Sequence, residues 1–131
     1  MPAPFPGVRM RCYAAAMTRL TLRIVFDGER ALGPGKVRLL ELVAETGSIS
    51  AAGRAMGMSY RRAWLLVDAL NRTFSLPVVE TRGGGAGGGG ASLTPFGTGV
   101  IESYRAMERD ARSALAQRLA KLEKALAPGP A

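Results

Sequence analysis

Residues 47–64 read GSISAAGRAMGMSYRRAW, and the spacing of serine and glycine in this stretch predicts how the chain folds. Ser48 is suited to cap a short helix, because a serine hydroxyl accepts a hydrogen bond from a free backbone N–H of the first turn. Gly57 tolerates the left-handed conformation in which helices commonly end. Ser59 can then cap the next helix, which extends to about Phe74. Two helices joined by so tight a corner are typical of a helix-turn-helix.

The second helix of this pair has one apolar face and one charged face. At about 100° per residue, Arg61 and Leu65 lie opposite the apolar residues and Arg62 lies on a flank. Two positive charges in a first turn oppose the helix macrodipole at about 0.3–1 kcal/mol each, which favours a functional role over simple solvation. Small residues in the preceding helix allow a close crossing. The inward positions are Tyr60, Ala63, Leu66, Val67, Leu70 and Phe74, with Trp64, also assigned to the core, at their margin.

The arginine pair stands where a recognition helix meets the major groove of DNA. An arginine there can pair with O6 and N7 of guanine, which discriminates between bases by about 1–3 kcal/mol, or it can bind a phosphate, and the sequence leaves both open. Ser59 and Tyr60 can offer hydroxyl groups to a phosphate. Leu65 is a candidate for contact with a thymine methyl, for a subunit contact or for plain exposure. Asp68 and Arg72 have the spacing of a surface ion pair.

The rest of the chain supplies the elements around this corner. Alternating apolar and polar residues predict a strand over 20–26, and Pro34 can open a helix over 34–46 that Gly47 closes. Two short extended segments that flank a glycine-rich tip predict a wing at 78–94. The predicted fold class is therefore mainly α with a small β component. Its organisation is a disordered leader at 1–17, a winged helix-turn-helix domain at 18–94, a long C-terminal helix at 95–127 and a tail at 128–131.

The long helix carries an apolar stripe that one subunit's remaining core is too small to cover along its whole length. We therefore expect the helix to form the interface of a homodimer. The residues of the stripe, spaced three or four apart, are Tyr104, Met107, Ala111, Leu115, Leu119, Leu122 and Leu126.

Composition narrows the class of function. Eighteen basic residues, fifteen of them arginine, against ten acidic residues give a net charge of +8, which favours an anionic partner such as double-stranded DNA. The chain has no histidine and a single cysteine, so the usual catalytic and metal-binding constellations cannot be assembled, and we expect neither an enzyme, a metal site nor a cofactor. The glycine run lacks the Gly-Lys-Ser/Thr of a phosphate-binding loop. No apolar run is long enough to cross a membrane, and we expect a cytoplasmic protein.

Two longer stretches bear a resemblance to a known family. GKVRLLELVAETGSISAAGRAMGMSYRRAW at 35–64 and GGGAGGGGASLTPFG at 83–97 closely resemble the N-terminal DNA-binding domain of the ModE family of molybdenum-dependent transcription regulators. The similarity covers about residues 18–126, and LTPFG also resembles the helix-turn-helix of LysR-type regulators. Ala86 departs from the pattern, since relatives often carry lysine there. The family's C-terminal oxyanion-binding module has no counterpart, so we expect a stand-alone DNA-binding form that senses a small-molecule effector only through another protein.

The resemblance implies a homodimer that binds a palindromic operator, with one recognition helix in each half-site. The function it implies is sequence-specific regulation of transcription, as a repressor of molybdenum-related genes. A sequence-tolerant, nucleoid-like or architectural DNA-binding protein is the alternative. The predicted DNA-binding residues are Ser48, Ser59, Tyr60, Arg61, Arg62, Leu65, Arg82, Gly84 and Gly88.

Overall fold

A computed structural model describes residues 18–83 and 90–129 of the chain. Four helices and two small antiparallel hairpins make up these residues, so the predicted mainly α fold class with a small β component is confirmed. Residues 21–111 form one compact unit, and residues 112–124 continue its last helix. The elements in chain order are β1 (Ile24–Asp27), β2 (Arg30–Leu32), α1 (Pro34–Thr46), α2 (Ile49–Ala55), α3 (Tyr60–Thr73), β3 (Val79–Thr81), β4 (Ala91–Leu93) and α4 (Pro95–Lys124).

The corner between α2 and α3 forms as its serines and glycines predict. The Ser48 Oγ accepts a hydrogen bond from Ala51 N at 3.0 Å, and the Ser59 Oγ accepts one from Arg62 N at 3.1 Å. Gly57, with φ +73°, holds the left-handed conformation between the two helices. Each serine thus satisfies a backbone N–H that the first turn of its helix would otherwise leave free.

The two helices of the corner cross at close range because of Gly53 in α2. A Cβ placed on Gly53 would lie 2.8 Å from the Cβ of Ala63 in α3. A side chain at residue 53 would therefore force the two helices apart, and glycine sets how closely α3 approaches α2.

The core collects apolar side chains from all of the helices. α1 contributes more of them than any other helix, and α3 contributes every third or fourth residue, as its periodicity predicts. The largest fully buried side chains are Tyr104, Leu39, Leu40, Leu70, Val37, Val43 and Val78.

The N-terminal hairpin differs in part from its prediction. The strand begins at Ile24 rather than at residue 20, and it pairs with β2, a three-residue strand that the sequence did not reveal. Phe26, an apolar residue of the alternating pattern that predicts the strand, remains 49% exposed. Its ring packs edge-on against Phe74 at 5.8 Å between centroids, and Phe74 packs in the same way against Phe96 of α4 at 5.5 Å.

The start of α4 is fixed to the segment that leads into the wing. Thr94 is buried, and its Oγ1 accepts a hydrogen bond from Gly97 N at 2.9 Å and donates one to the carbonyl of Pro77 at 2.7 Å. Thr94 N donates to the carbonyl of Val78 at 3.0 Å. Gly97 lies against the backbone of Val78, where a Cβ would come within 3.0 Å of the carbonyl carbon and closer still to its oxygen.

Farther along α4, Arg105 joins this helix to α1. Its guanidinium donates to both carboxylate oxygens of Glu41, with Nη2 to Oε1 at 2.9 Å and Nε to Oε2 at 3.0 Å, and to Glu108 at 2.7 Å. The hydrogen bonds from Arg105 hold the pKa of Glu41 below its usual value, against the opposing effect of partial burial.

Candidate nucleic-acid interface

The outward face of α3 carries the predicted reading residues. Ala63, Val67 and Leu70 are buried and define the inward side of the helix. Arg61 and Leu65 lie on the opposite side and are exposed, as the helical spacing predicts. Within residues 18–83 and 90–129, neither Arg61 nor Arg62 forms a salt bridge with a carboxylate. The first turn of α3 therefore presents two cations whose charge is not neutralised by an acidic neighbour.

Two aromatic residues of α3 lie elsewhere than predicted. Tyr60 is 57% exposed and Trp64 is 43% exposed, so the assignment of both to the core is wrong. Both line a cleft between α3 and the wing. The helical spacing predicts Tyr60 within the apolar arc and Trp64 at its margin, but the hairpin of β3 and β4, distant in sequence, leaves both side chains at the surface.

The predicted wing is present as the hairpin of β3 and β4, in which Val79 pairs with Leu93, Glu80 with Ser92 and Thr81 with Ala91. This hairpin is attached to the helix-turn-helix at two points. Ala91 N donates to the carbonyl of Gly47, just before α2, at 2.9 Å. Beyond the strands, Arg82 N donates to the carbonyl of Gly90 at 2.8 Å and extends the ladder.

Asn71 of α3 provides the second attachment. Its Oδ1 accepts hydrogen bonds from Val78 N at 2.8 Å and Val79 N at 3.1 Å, while its Nδ2 donates to the carbonyl of Val79 at 3.1 Å. A part-buried polar side chain that satisfies three backbone groups fixes the position of the wing relative to α3. Sequence reasoning missed Asn71, although an amide one residue beyond the buried Leu70 was the available signal.

The cleft between α3 and the wing has a volume of 390 Å³ and brings several predicted residues together. Ser48, at the start of α2, and Arg82, at the end of β3, face it with the two aromatic residues of α3. The guanidinium of Arg82 lies over Gly90, in the space that a Cβ at residue 90 would occupy. Gly84 and Gly88 lie outside the described residues. The lining is Ser48, Ile49, Ser50, Tyr60, Trp64, Thr81, Arg82, Gly90 and Ala91.

The predicted surface ion pair of α3 is present. Arg72 Nε donates to Asp68 Oδ2 at 3.1 Å, which confirms the pairing. In the part of the chain that the structure describes, no three acidic or cysteine side chains are placed to hold a metal ion, and no helix is long and apolar enough to cross a membrane.

The predicted dimer residues of α4 divide into three groups by exposure. Tyr104 is fully buried within the chain, where its hydroxyl donates to the carbonyl of Leu22, so it has no surface to offer a second copy. This placement corrects its assignment to the dimer interface. Ala111 and Leu119 are half-buried. The exposed members are Met107, Leu115, Leu122 and Leu126. Leu126 lies beyond the end of α4, because the helix ends at Lys124 and not at residue 127 as predicted.

Comparison with known proteins identifies this architecture. The profile of the bacterial regulatory helix-turn-helix proteins of the lysR family matches residues 35–98, from the start of α1 to the start of α4. Residues 35–98 form a helix-turn-helix domain of the lysR type. A crystal structure of a complex of CbnR_DBD with DNA is similar, with a TM-score of 0.51 and 25% identity over 66% of this chain and 95% of that chain. The predicted winged helix-turn-helix with a long C-terminal helix is thereby confirmed.

Several proteins are similar in sequence to part of this chain. The molybdenum-pterin-binding protein MopB of Rhodobacter capsulatus is 44% identical over 100 residues, or 76% of this chain and 36% of that protein. The molybdenum transport protein ModE of Azotobacter vinelandii is 37% identical over 75% of this chain and 37% of that protein. The DNA-binding transcriptional dual regulator ModE of Escherichia coli K12 is 39% identical over 54% of this chain and 27% of that protein. The resemblance to ModE regulators is confirmed, and the match covers between about a quarter and little more than a third of the length of these relatives.

Proposed function

We propose that this chain regulates transcription by binding double-stranded DNA in a sequence-specific manner. The observation that carries the proposal is the exposed face of α3, where Arg61 has no carboxylate partner among the described residues. Its neighbour Tyr60 lines the cleft that contains Arg82. Cations without acidic neighbours on a protruding helix suit a polyanion whose grooves admit an α-helix. The lysR-type domain supports the same function.

The two arginines have different roles in this proposal. Arg61 lies on the side of α3 opposite the core, where its guanidinium can reach the edges of the bases, and Leu65, one turn later, is placed to contact a thymine methyl group. Arg82 lies at the base of the wing and binds a phosphate beside the groove. The hydroxyls of Ser48 and Ser59 accept backbone hydrogen bonds through their oxygens and keep their protons available to a phosphate.

A selection experiment tests the proposal. Duplexes are selected from a random pool on the wild-type protein, and the affinity for the selected duplex is compared with that for random DNA at physiological salt. We expect a preference of about 10³ or more. Equal affinity for both would contradict sequence-specific regulation and would favour the sequence-tolerant architectural alternative.

Variants of the two arginines separate base reading from phosphate binding. Arg61→Ala is expected to reduce the preference for the selected duplex by about 1–3 kcal/mol. Arg82→Ala is expected to weaken binding to all sequences alike and to reduce the salt slope by about one unit. Arg38→Ala is the matched control, because it removes the same charge from a side chain that pairs with Glu41 and Glu45 on α1.

We also propose that the regulator acts as a homodimer through α4, on a palindromic operator. Leu115 is 37% exposed and Leu122 is 67% exposed, so both side chains leave apolar surface for a second copy to cover. Leu115→Lys with Leu122→Lys is expected to yield monomers by sedimentation at micromolar concentration, whereas Leu76→Lys, at an exposed leucine before β3, is expected to leave dimers. Sedimentation of the wild type as a monomer would contradict the dimer.

The regulated genes form the last part of the proposal. The names of the relatives associate those proteins with molybdenum, and on that basis we propose that this chain represses molybdenum-related genes. Mapping of bound sites in cells grown with and without molybdate, together with transcript levels in a deletion strain, tests it. Unchanged transcripts at the bound sites would contradict repression.

A further inference from the structure

A second cleft lies on the flank of α3 that faces away from the wing. Because Ala63, Val67 and Leu70 point inward, the two flanks of α3 are occupied by different residues. Tyr60 and Trp64 border the wing, whereas Arg62 and Leu66 border the second cleft, which has a volume of 290 Å³. Its lining is Arg23, Ala31, Gly33, Pro34, Gly35, Lys36, Met56, Met58, Arg62 and Leu66.

Three cationic side chains from three separate segments meet at this second cleft. Arg23 comes from the residues before β1, Lys36 from α1 and Arg62 from α3. Within residues 18–83 and 90–129, none of the three forms a salt bridge with a carboxylate. By contrast, Arg30 and Arg38 on neighbouring elements both have acidic partners. The second cleft therefore concentrates positive charge that the protein itself does not neutralise.

Packing holds two of these cations at the second cleft. The Nζ of Lys36 donates to the carbonyl of Ala31 at 3.0 Å, which fixes the end of the side chain. The stem of Arg23 crosses Gly33, and its Cγ would lie 3.5 Å from a Cβ placed there. The long side chains are thus held against the surface, which lowers the conformational entropy they would lose on binding an anion.

We propose that the second cleft binds the phosphates of the DNA strand that lies across the major groove from the strand bound by the wing. This inference rests on the proposed function. A helix in the major groove lies between two sugar-phosphate backbones, so each flank of α3 faces one strand. Arg82 binds one backbone, and Arg23, Lys36 and Arg62 bind the other. The second cleft adjoins the exposed face of α3 through Arg62 and is open, which suits a continuous polyanion.

The test is a scan with neutral methylphosphonates placed singly along each strand of a selected duplex. Wild-type protein is expected to lose affinity at two groups of positions, one on each strand. In the Arg82→Ala variant, methylphosphonates at one group of positions are expected to have no further effect on affinity. In the Arg23→Ala variant, the same is expected for the other group only. Because the scan changes the DNA and leaves the protein intact, it remains informative even if a variant at the second cleft folds poorly.

Salt dependence gives an independent measurement. Arg23→Ala and Lys36→Met are each expected to reduce the slope of log K against log[salt] by about 0.9, the value for one phosphate, which corresponds to a loss of about eightfold at 0.1 M salt on selected and random DNA alike. Arg38→Ala, which removes a charge paired to two carboxylates of α1, is expected to change the slope by much less. Thermal unfolding verifies that each variant is folded.

The outcomes separate this inference from the proposed function. If no duplex binds, the proposed function fails. If duplexes bind and Arg82→Ala weakens them while Arg23→Ala and Lys36→Met leave the slope and the scan unchanged, the second cleft does not bind DNA. Calorimetry with inorganic phosphate tests whether the second cleft binds a free phosphate ion instead of the DNA backbone. Binding of phosphate at millimolar concentration that Arg23→Ala removes, with DNA binding unaltered, would also overturn the inference.

Discussion

Two glycines at the start of α4 are expected to respond in opposite directions to the same substitution. Gly97 lies against the backbone of Val78, and a Cβ there would come within 3.0 Å of the Val78 carbonyl carbon and closer to its oxygen. Gly99, two residues later in the same helix, has open space where a Cβ would stand, with nothing within 4 Å, and its φ is not positive. The pair separates steric contact from helix propensity, because both substitutions are Gly→Ala in one helix.

The expected magnitudes follow from these contacts. Gly99→Ala is expected to stabilise the domain by about 0.5–1 kcal/mol, since alanine loses less backbone entropy than glycine in a helix. Gly97→Ala gains up to the same amount but overpacks a backbone contact, at about 1–3 kcal/mol. The carbonyl that must move accepts the hydrogen bond from Thr94 N, so its displacement costs about 1 kcal/mol more. A net destabilisation of about 1–3 kcal/mol follows for Gly97→Ala.

Thermal unfolding followed by circular dichroism measures the difference. The two variants are expected to differ by about 1.5–4 kcal/mol, or roughly 6–16 °C in Tm at about 4 °C per kcal/mol for a domain of this size. Urea unfolding with an unchanged slope would show that the difference lies in stability and not in the unfolded state. A Gly97→Ala variant as stable as wild type would refute the close approach of α4 to Val78.

Three further substitutions test other contacts. Gly53→Ala is expected to push α3 away from α2 at Ala63 and to lower the free energy of unfolding by about 1–3 kcal/mol through overpacking. DNA binding is expected to weaken severalfold, and unchanged affinity would argue against the close crossing. Because Arg105 lowers the folded-state pKa of Glu41 below the ordinary 4.5, the pair stabilises above that pH and the stabilisation disappears as pH falls through the folded pKa. Glu41→Gln is therefore expected to lower the free energy of unfolding by about 1–3 kcal/mol at pH 7 and to make that free energy depend less on pH in the acid range. If the free energies of the variant and the wild type changed in parallel with pH, the pair would be excluded as the cause of the acid sensitivity. Tyr104→Phe is expected to cost about 1 kcal/mol by loss of one buried hydrogen bond, measured by urea unfolding, with no effect on sedimentation.

Local signals in the sequence are sufficient to predict the first three helices. Pro34, Ser48, Gly57 and Ser59 act on their immediate neighbours through backbone conformation and capping, so they predict where α1, α2 and α3 begin or end. The strand β2 was not predictable in the same way. Three residues, Arg30–Leu32, are too few to show alternation, and their partner strand supplies the hydrogen bonds that define them.

The side chains of the interface were only partly predictable, because helical spacing gives a direction but not the neighbour found there. Arg61 and Leu65 point away from the core as the spacing requires. Tyr60 and Trp64, predicted within the apolar arc and at its margin, instead border the cleft beside the wing. Tyr104 shows the reverse case, since a residue assigned to a second subunit bonds instead to Leu22, far away in sequence.

The separation of α3 into a buried face and an exposed face affects how the sequence of such a protein can evolve. Residues 61 and 65 lie on the side of the helix opposite the buried side chains that hold it in place, and substitutions at such surface positions usually alter stability by less than about 0.5 kcal/mol. In the function proposed above, residues 61 and 65 set the target preference, whereas the buried side chains of the same helix set the stability of the fold. A library randomised at these two positions is expected to consist largely of folded members, so a new operator can be acquired by gene duplication and drift without a stability defect along the way.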